Sequence, residues 1–402
     1  MFGRSLLRLR SASAALAGAW LVAGAVFAAD GWPRFRGDSA NTGVATDALP
    51  ADLKLRWKFD TREARRSLAP ATQSAPSSQP LEEPIQSTAA IADGVVYFGC
   101  DDGYAYAVAL DSGVLRWAYH AGELVQSSPS VCGDLVLFGD DAGVLHAIER
   151  ASGRKRWTFA TEMSLLSGVN WADDDPERLV VGSYDGWLYC LSPDGRLLWK
   201  YETGDRLHAT PAVIDGQVLI AGCDGQLHVV KLADGSSVRR VPLGSVTGAS
   251  AAVTGELAVI PTQGQQVVAL RWRDGGRAWV FEDTQRQFPF HASPALVGRR
   301  AIVAGRDKRV RSIDLERGTQ EWQFMARGRV DSSPVVAGER VFVGSDDGHV
   351  YGLSLTTGEV LWQYEIGAGI AASPAIGAGS LVIGATDGIL YCFGAAVGAR
   401  GS

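Results

Sequence analysis

The chain of 402 residues is short of most residue types that carry chemistry: it has 5 cysteines, 6 histidines and 3 methionines. The cysteines, Cys100, Cys132, Cys190, Cys223 and Cys392, are odd in number, widely spaced and never adjacent. That pattern argues against a disulfide framework or a structural metal site. Cys190 and Cys392 both close a Leu-Tyr-Cys triplet, and Cys100 and Cys223 share a second recurring position, so all read as small buried hydrophobes. No Gly-x-Ser-x-Gly elbow, P-loop or His-Glu-x-x-His pair occurs, which removes the commonest hydrolase, nucleotide and zinc-protease signatures. The acidic stretch Ala172 to Glu177 offers too few oxygen ligands in a defined loop for calcium and reads as a longer surface turn.

An excess of basic charge is also missing. Lys and Arg number 38 against 44 Asp and Glu. Nucleic acid and anionic membrane surfaces are therefore not expected partners. Long apolar runs are absent except near the start, from about Ala14 to Phe27, behind Arg4, Arg8 and Arg10 and ahead of Ala28-Ala29. This reads as a secretory signal peptide over residues 1–29. It is short for a bilayer span, so no membrane span is expected after cleavage. Without its three arginines the mature chain carries about −9. No cysteine lies near the cleavage site for lipid attachment, so a periplasmic or secreted protein is expected.

What the sequence does have is 48 glycines, 12 tryptophans and a repeat. The stretch from Ser332 to Tyr364 reads as four short apolar segments joined by turns that contain Asp-Asp-Gly and Thr-Thr-Gly. Such turns between alternating apolar residues are hairpin signals, because glycine supplies the positive φ they need. The tryptophan that closes this unit recurs at Trp117, Trp157, Trp199, Trp279, Trp322 and Trp362, 40 to 43 residues apart with one double step of 80. Arg239 holds the tryptophan position inside the double step. A fixed period with four strands per repeat is the signature of a β-propeller.

Seven full units run from residue 87 to 364, and an eighth, from Ser373 to Phe393, lacks its last strand. The lone segment Leu53 to Phe59, with Trp57 in the tryptophan position, supplies it. The expected fold is all-β: an eight-bladed propeller of four-stranded antiparallel blades. The N-terminal strand pairs with the last blade and removes the open edges. The propeller covers 52–394. Residues 30–51 form an irregular lead-in, 62–84 a flexible insertion rich in Pro, Ser and Ala, and 395–402 a tail. A monomer is expected, since one ring uses the whole chain.

Aligning the units isolates one residue just before each inner strand: Gln86, Gln126, Leu166, His208, Gly248, His291, Asp331 and Ala371. They should ring one mouth of the central channel, where loops on a rigid frame vary without harming the core. The polar members Gln86, Gln126, His208, His291 and Asp331 are candidate ligand or partner contacts. Asp205, Arg206, Arg286, Arg327 and Arg329 flank the same rim. Trp57 and the six recurring tryptophans read as structural, each filling the space between twisted sheets. No catalytic or metal-binding residue is assigned.

The repeat xSSPxV…FGSDDGxLYAL…TGxxLWxY and the lead-in WPRFRGDSANTG resemble the pyrroloquinoline quinone (PQQ)-like β-propeller family over about residues 32–394. That resemblance implies blade-to-blade docking by the tryptophans. It also implies one of two branches. In the quinoprotein dehydrogenase branch, PQQ and calcium occupy the central channel, an Asp acts as base and adjacent cysteines stack on the quinone. Here no cysteines are adjacent and no calcium ligand set is apparent. The other branch resembles the BamB-type envelope scaffolds, which are non-enzymatic and bind a protein partner through exposed loops. Export and the lack of catalytic residues fit this branch, whereas the missing lipid-attachment cysteine departs from it. The expected function is an exported, non-catalytic, protein-binding scaffold without a cofactor. The alternatives are a PQQ-dependent oxidoreductase or a channel that binds a small ligand or polysaccharide.

Overall fold

The computed structural model describes residues 31–68, 83–283 and 288–396. Eight sheets form, each built on a four-stranded antiparallel meander whose strands are consecutive in the chain except in the last blade. Blade one is built from Ala90–Ala92, Val95–Gly99, Tyr104–Ala109 and Leu115–His120, and the other units follow the same order. Each inner strand is only three residues long and each outer strand six or seven, so a blade widens away from the channel. The ring closes as expected. Lys54–Asp60 pairs antiparallel with Ile389–Gly394, bringing Trp57 opposite Cys392. The expected signal peptide and most of the tail lie outside the described residues.

The apolar cores lie between blades rather than within them. One cluster joins Leu137, Leu145 and Ala147 of blade two to Val169, Leu179 and Tyr189 of blade three, and comparable clusters recur around the ring. The tryptophans sit at these seams. Trp57 Nε1 donates to Leu110 O of the next blade at 2.9 Å, and Trp117, Trp157, Trp199, Trp279, Trp322 and Trp362 each donate to a carbonyl across the following seam. The ring of Trp57 lies against Gly113, where φ is +70° and a Cβ would come within 2.8 Å of the indole. Glycine is required there by conformation and by space. At the eighth seam, Arg239 Nη2 donates to Arg273 O at 3.1 Å, so the arginine makes the bond that indole makes elsewhere.

Turn carboxylates are equally committed to structure. Asp102, Asp185, Asp347 and Asp387 accept from the hydroxyls of Tyr106, Tyr189, Tyr351 and Tyr391 on the next strand. His146 and His228 replace tyrosine opposite Asp140 and Asp224, and fully buried Arg311 does so opposite Asp307. Four cysteines are buried, Cys223 is half-buried and all five are free, as their packing role predicts.

Three features add to what the sequence led us to expect. Two of the eight blades have five strands. Gly31–Trp32 adds antiparallel to the inner strand of blade one, and Val44–Ala45 adds parallel to that of blade seven. The insertion is not irregular throughout, because Thr61–Leu68 is helical and Arg65 pairs with Glu83 and with Asp102; residues 69–82 lie outside the described residues. The lead-in is also more than a preface. It runs from blade to blade along the inner strands. Val131 N donates to Pro33 O, Val213 N to Ser39 O, Val253 N to Ala40 O, Leu296 N to Thr42 O and Val336 N to Gly43 O. Inner strands have no neighbour on the channel side, so their free donors are satisfied by this segment.

Candidate functional site: the central cavity

The eight residues that precede the inner strands come together. All of them line one cavity of about 200 Å³ on the channel axis. Phe35 of the lead-in also lines it and forms the floor. The polar ring at the mouth is largely self-satisfied. Gln86 and Gln126 both donate to Asp101 Oδ2, at 2.7 and 3.1 Å. Burial raises the Asp101 carboxyl above its ordinary value, and the two amides oppose that shift. Arg306 Nε pairs with Asp331 at 2.9 Å. Tyr184 Oη lies 2.8 Å from His208 Nδ1. His208 keeps accessible surface because it faces the cavity, yet protein surrounds it. Burial, then neighbouring His291, lowers its pKa; burial, then Arg306, lowers that of His291.

The arginines of the rim do not enter the cavity. Arg206 is exposed, with its Nε 3.6 Å from Asp205. Arg329 pairs outside the ring with Asp346 at 2.7 Å. Arg327 is exposed as well, and Arg286 lies outside the described residues.

Sequence reasoning missed the layer beneath the mouth. Thr88, Ser128, Thr210, Ser250, Ser293, Ser333 and Ser373 line the same cavity, with Gly168 at the corresponding place in blade three. Each hydroxyl from Ser250 to Ser373 accepts the backbone N–H of its counterpart one blade earlier, at 2.8 to 2.9 Å. Thr88 N donates likewise to Ser128 and Gly168 N to Thr210. The signal was available in the second serine of the repeated Ser-Ser-Pro.

Below this layer the lead-in holds three buried polar side chains. Arg34 donates to Asn170 Oδ1, Trp171 O and Asp173. Asp173, from the acidic insertion of blade three, thus anchors the floor. Asn41 bridges Thr210 O and Ala251 O. Arg36, 1% exposed, donates from Nη2 to Pro294 O at 2.9 Å and Pro334 O at 2.6 Å. Among the described residues no group of three His, Cys, Asp or Glu converges to hold a metal ion.

This architecture defines an eight-bladed propeller of the PQQ-like repeat class. More narrowly, the chain belongs to the family described as Outer membrane protein assembly factor BamB, whose profile matches residues 50–163, 141–287 and 273–400. It is 25% identical over 163 residues to the BamB of Burkholderia pseudomallei, a match spanning 37% of this chain and 43% of that relative. The match therefore covers less than half of the curated relative. Among solved structures, BamB from Moraxella catarrhalis aligns over 87% of this chain and all of its own, with a TM-score of 0.68 and 16% identity. A europium-containing methanol dehydrogenase aligns over 91% of this chain and 98% of its own, with a TM-score of 0.75 and 11% identity. At these identities the likeness is one of fold.

Proposed function

We propose that this chain is an exported, non-catalytic propeller that binds protein partners in the cell envelope. The observation that carries the reading is the use made of its carboxylates. The turn aspartates that could act as acids or bases are held by Tyr, His or Arg of their own blades, and Asp331 is paired with Arg306. What remains available is the rim. There Leu124, Met163 and Phe288 are exposed apolar side chains, and Arg206, Arg327 and Arg329 are exposed cations. Exposed apolar residues ringed by charge suit protein docking. The name of the family, an outer membrane protein assembly factor, supports an envelope partner, as does the signal-like N-terminal sequence.

The oxidoreductase reading is less well supported. The residues do not fit calcium-held PQQ. Among the described residues Asp331 is the one carboxylate on the cavity wall, it already has a guanidinium partner, and neither Trp nor Cys lines the cavity to stack on a planar quinone.

The test is affinity capture from an envelope fraction under mild crosslinking. It compares the native chain with an Arg327→Glu/Arg329→Glu double variant and a Leu124→Ser/Met163→Ser double variant. Loss of the same captured protein in either variant supports docking at the rim. A monomer that captures nothing overturns the reading. Quinone absorbance on adding PQQ and calcium to the purified protein would restore the alternative.

A further inference from the structure

The hydroxyl layer of the cavity carries protons that the protein leaves free to bond a ligand. The hydroxyl oxygens of Ser250, Ser293, Ser333 and Ser373 each accept one N–H of the preceding blade. No protein acceptor among the described residues takes their protons, and all four side chains line the cavity. A hydroxyl carries one donor besides its acceptor sites. The layer therefore presents a ring of O–H donors with no carboxylate among them.

A second, independent observation lies directly beneath. The two carbonyls that hold Arg36 belong to Pro294 and Pro334, the residues that follow Ser293 and Ser333. The Nε and Nη1 of Arg36 have no partner and are closed off from the cavity, whose wall does not include Arg36, and no ion pair to its guanidinium forms among the described residues. The nearest acid, Asp38, is occupied by the backbone and hydroxyl of Thr42. A buried, unpaired guanidinium is costly unless something negative approaches it.

We propose that the central cavity is a binding site for a small oxyanion of phosphate or carboxylate type, held by the hydroxyl protons of Ser250, Ser293, Ser333 and Ser373, with the Arg36 guanidinium, sealed beneath the floor, supplying positive charge at a distance rather than a direct contact. Oxyanions are rich in acceptors and need no donor of their own, which matches the free hydroxyl protons of this layer. Hydrogen bonds from O–H to a charged oxygen are the short, strong kind. The carboxylates at the mouth do not oppose entry strongly, because Asp331 is paired with Arg306 and Asp101 is covered by two glutamines. The site is separate from the rim proposed for protein docking and does not depend on it.

Thermal unfolding of the mature chain, titrated with inorganic phosphate, succinate or glucose at matched ionic strength, tests this. A ligand specific to the native state raises the melting temperature, by on the order of a few degrees at about a hundred times its dissociation constant. Stabilisation by phosphate or succinate and not by glucose supports the site, and the stronger of the two identifies the source of the oxyanion. Equal stabilisation by glucose, or none by either anion, overturns it. Gly248 lines the cavity with ordinary φ, and a Cβ there would meet only His208, at 3.6 Å. Gly248→Leu should therefore fill the cavity, keep the fold and abolish the anion shift. Ala371→Leu does the same from blade eight. A shift that survives in both folded variants places the anion elsewhere and also overturns the proposal.

Discussion

The two ends of the central cavity are built on opposite plans. At the mouth, every blade contributes the same backbone position and the eight side chains are of six kinds: Gln86, Gln126, Leu166, His208, Gly248, His291, Asp331, Ala371. At the floor, one continuous segment touches blade after blade and bonds mostly through backbone. The mouth carries diversity because nothing structural depends on it. The floor tolerates little change because the free donors of several inner strands end there. Between the two, the hydroxyl layer is repeated with a single exception, Gly168, and couples neighbouring blades. Variation and constraint are thus separated by about two residues of depth.

The contrast can be broken most severely at the floor. Deleting residues 31–45 removes the backbone bonds to Val131, Val213, Val253, Leu296 and Val336 together with the ties of Arg34, Arg36 and Asn41. At about 1 kcal/mol per bond, the backbone ties alone amount to a large part of an ordinary stability margin. We expect loss of cooperative unfolding in calorimetry, and a native-like transition would show the floor to be dispensable. A seam is the next most sensitive place. Trp279→Ala should cost about 3–5 kcal/mol in urea unfolding. Arg239→Ala, at the seam without an indole, should cost clearly less, since a half-buried side chain and one guanidinium bond to Arg273 are lost rather than an indole ring. Equal costs would mean that the bond rather than the ring locks the blades.

Single polar residues sharpen the same contrast. Asn41→Ala leaves the buried carbonyls of Thr210 and Ala251 without their donor, a loss of about 1–3 kcal/mol. Gln126→Ala at the mouth should stay within about 0.5 kcal/mol by the same denaturant measurement. Acidification reaches the mouth through its two histidines. His208 and His291 are held below their ordinary value of 6.5 by burial, so the folded state prefers them neutral. Their contribution is fully present above pH 6.5 and is lost as the pH falls through their lower folded values. The His208→Gln/His291→Gln variant should therefore lose less melting temperature than the native chain between about pH 7.5 and pH 5. An identical loss in both would remove these histidines from the acid response.

Much of this was legible in the sequence, and for a clear reason. Hairpin turns and the docking tryptophans recur at a fixed period, so the eight blades, the role of Trp57 and the ring of eight residues all follow from alignment of the chain with itself. The floor was not legible because it occurs once. Its bonds are made by backbone atoms, whose partners no side chain announces, and Arg34, Arg36 and Asn41 reach residues more than a hundred positions away. The helix Thr61–Leu68 was hidden by the Pro- and Ser-rich composition of the segment it begins, although Glu63 in its first turn and Arg65 and Arg66 in its last suit its dipole.

The closing strand has a consequence for the order of events during synthesis. Arg56 bonds Ser380, 324 positions later, so the first part of the fold to leave the ribosome waits for the last. Until then the lead-in and its strand have no complete ring to join, and blades one to seven can form only an open arc. A nick or truncation at the C-terminus should therefore be felt at the N-terminus first, as protease access to Lys54 and Arg56.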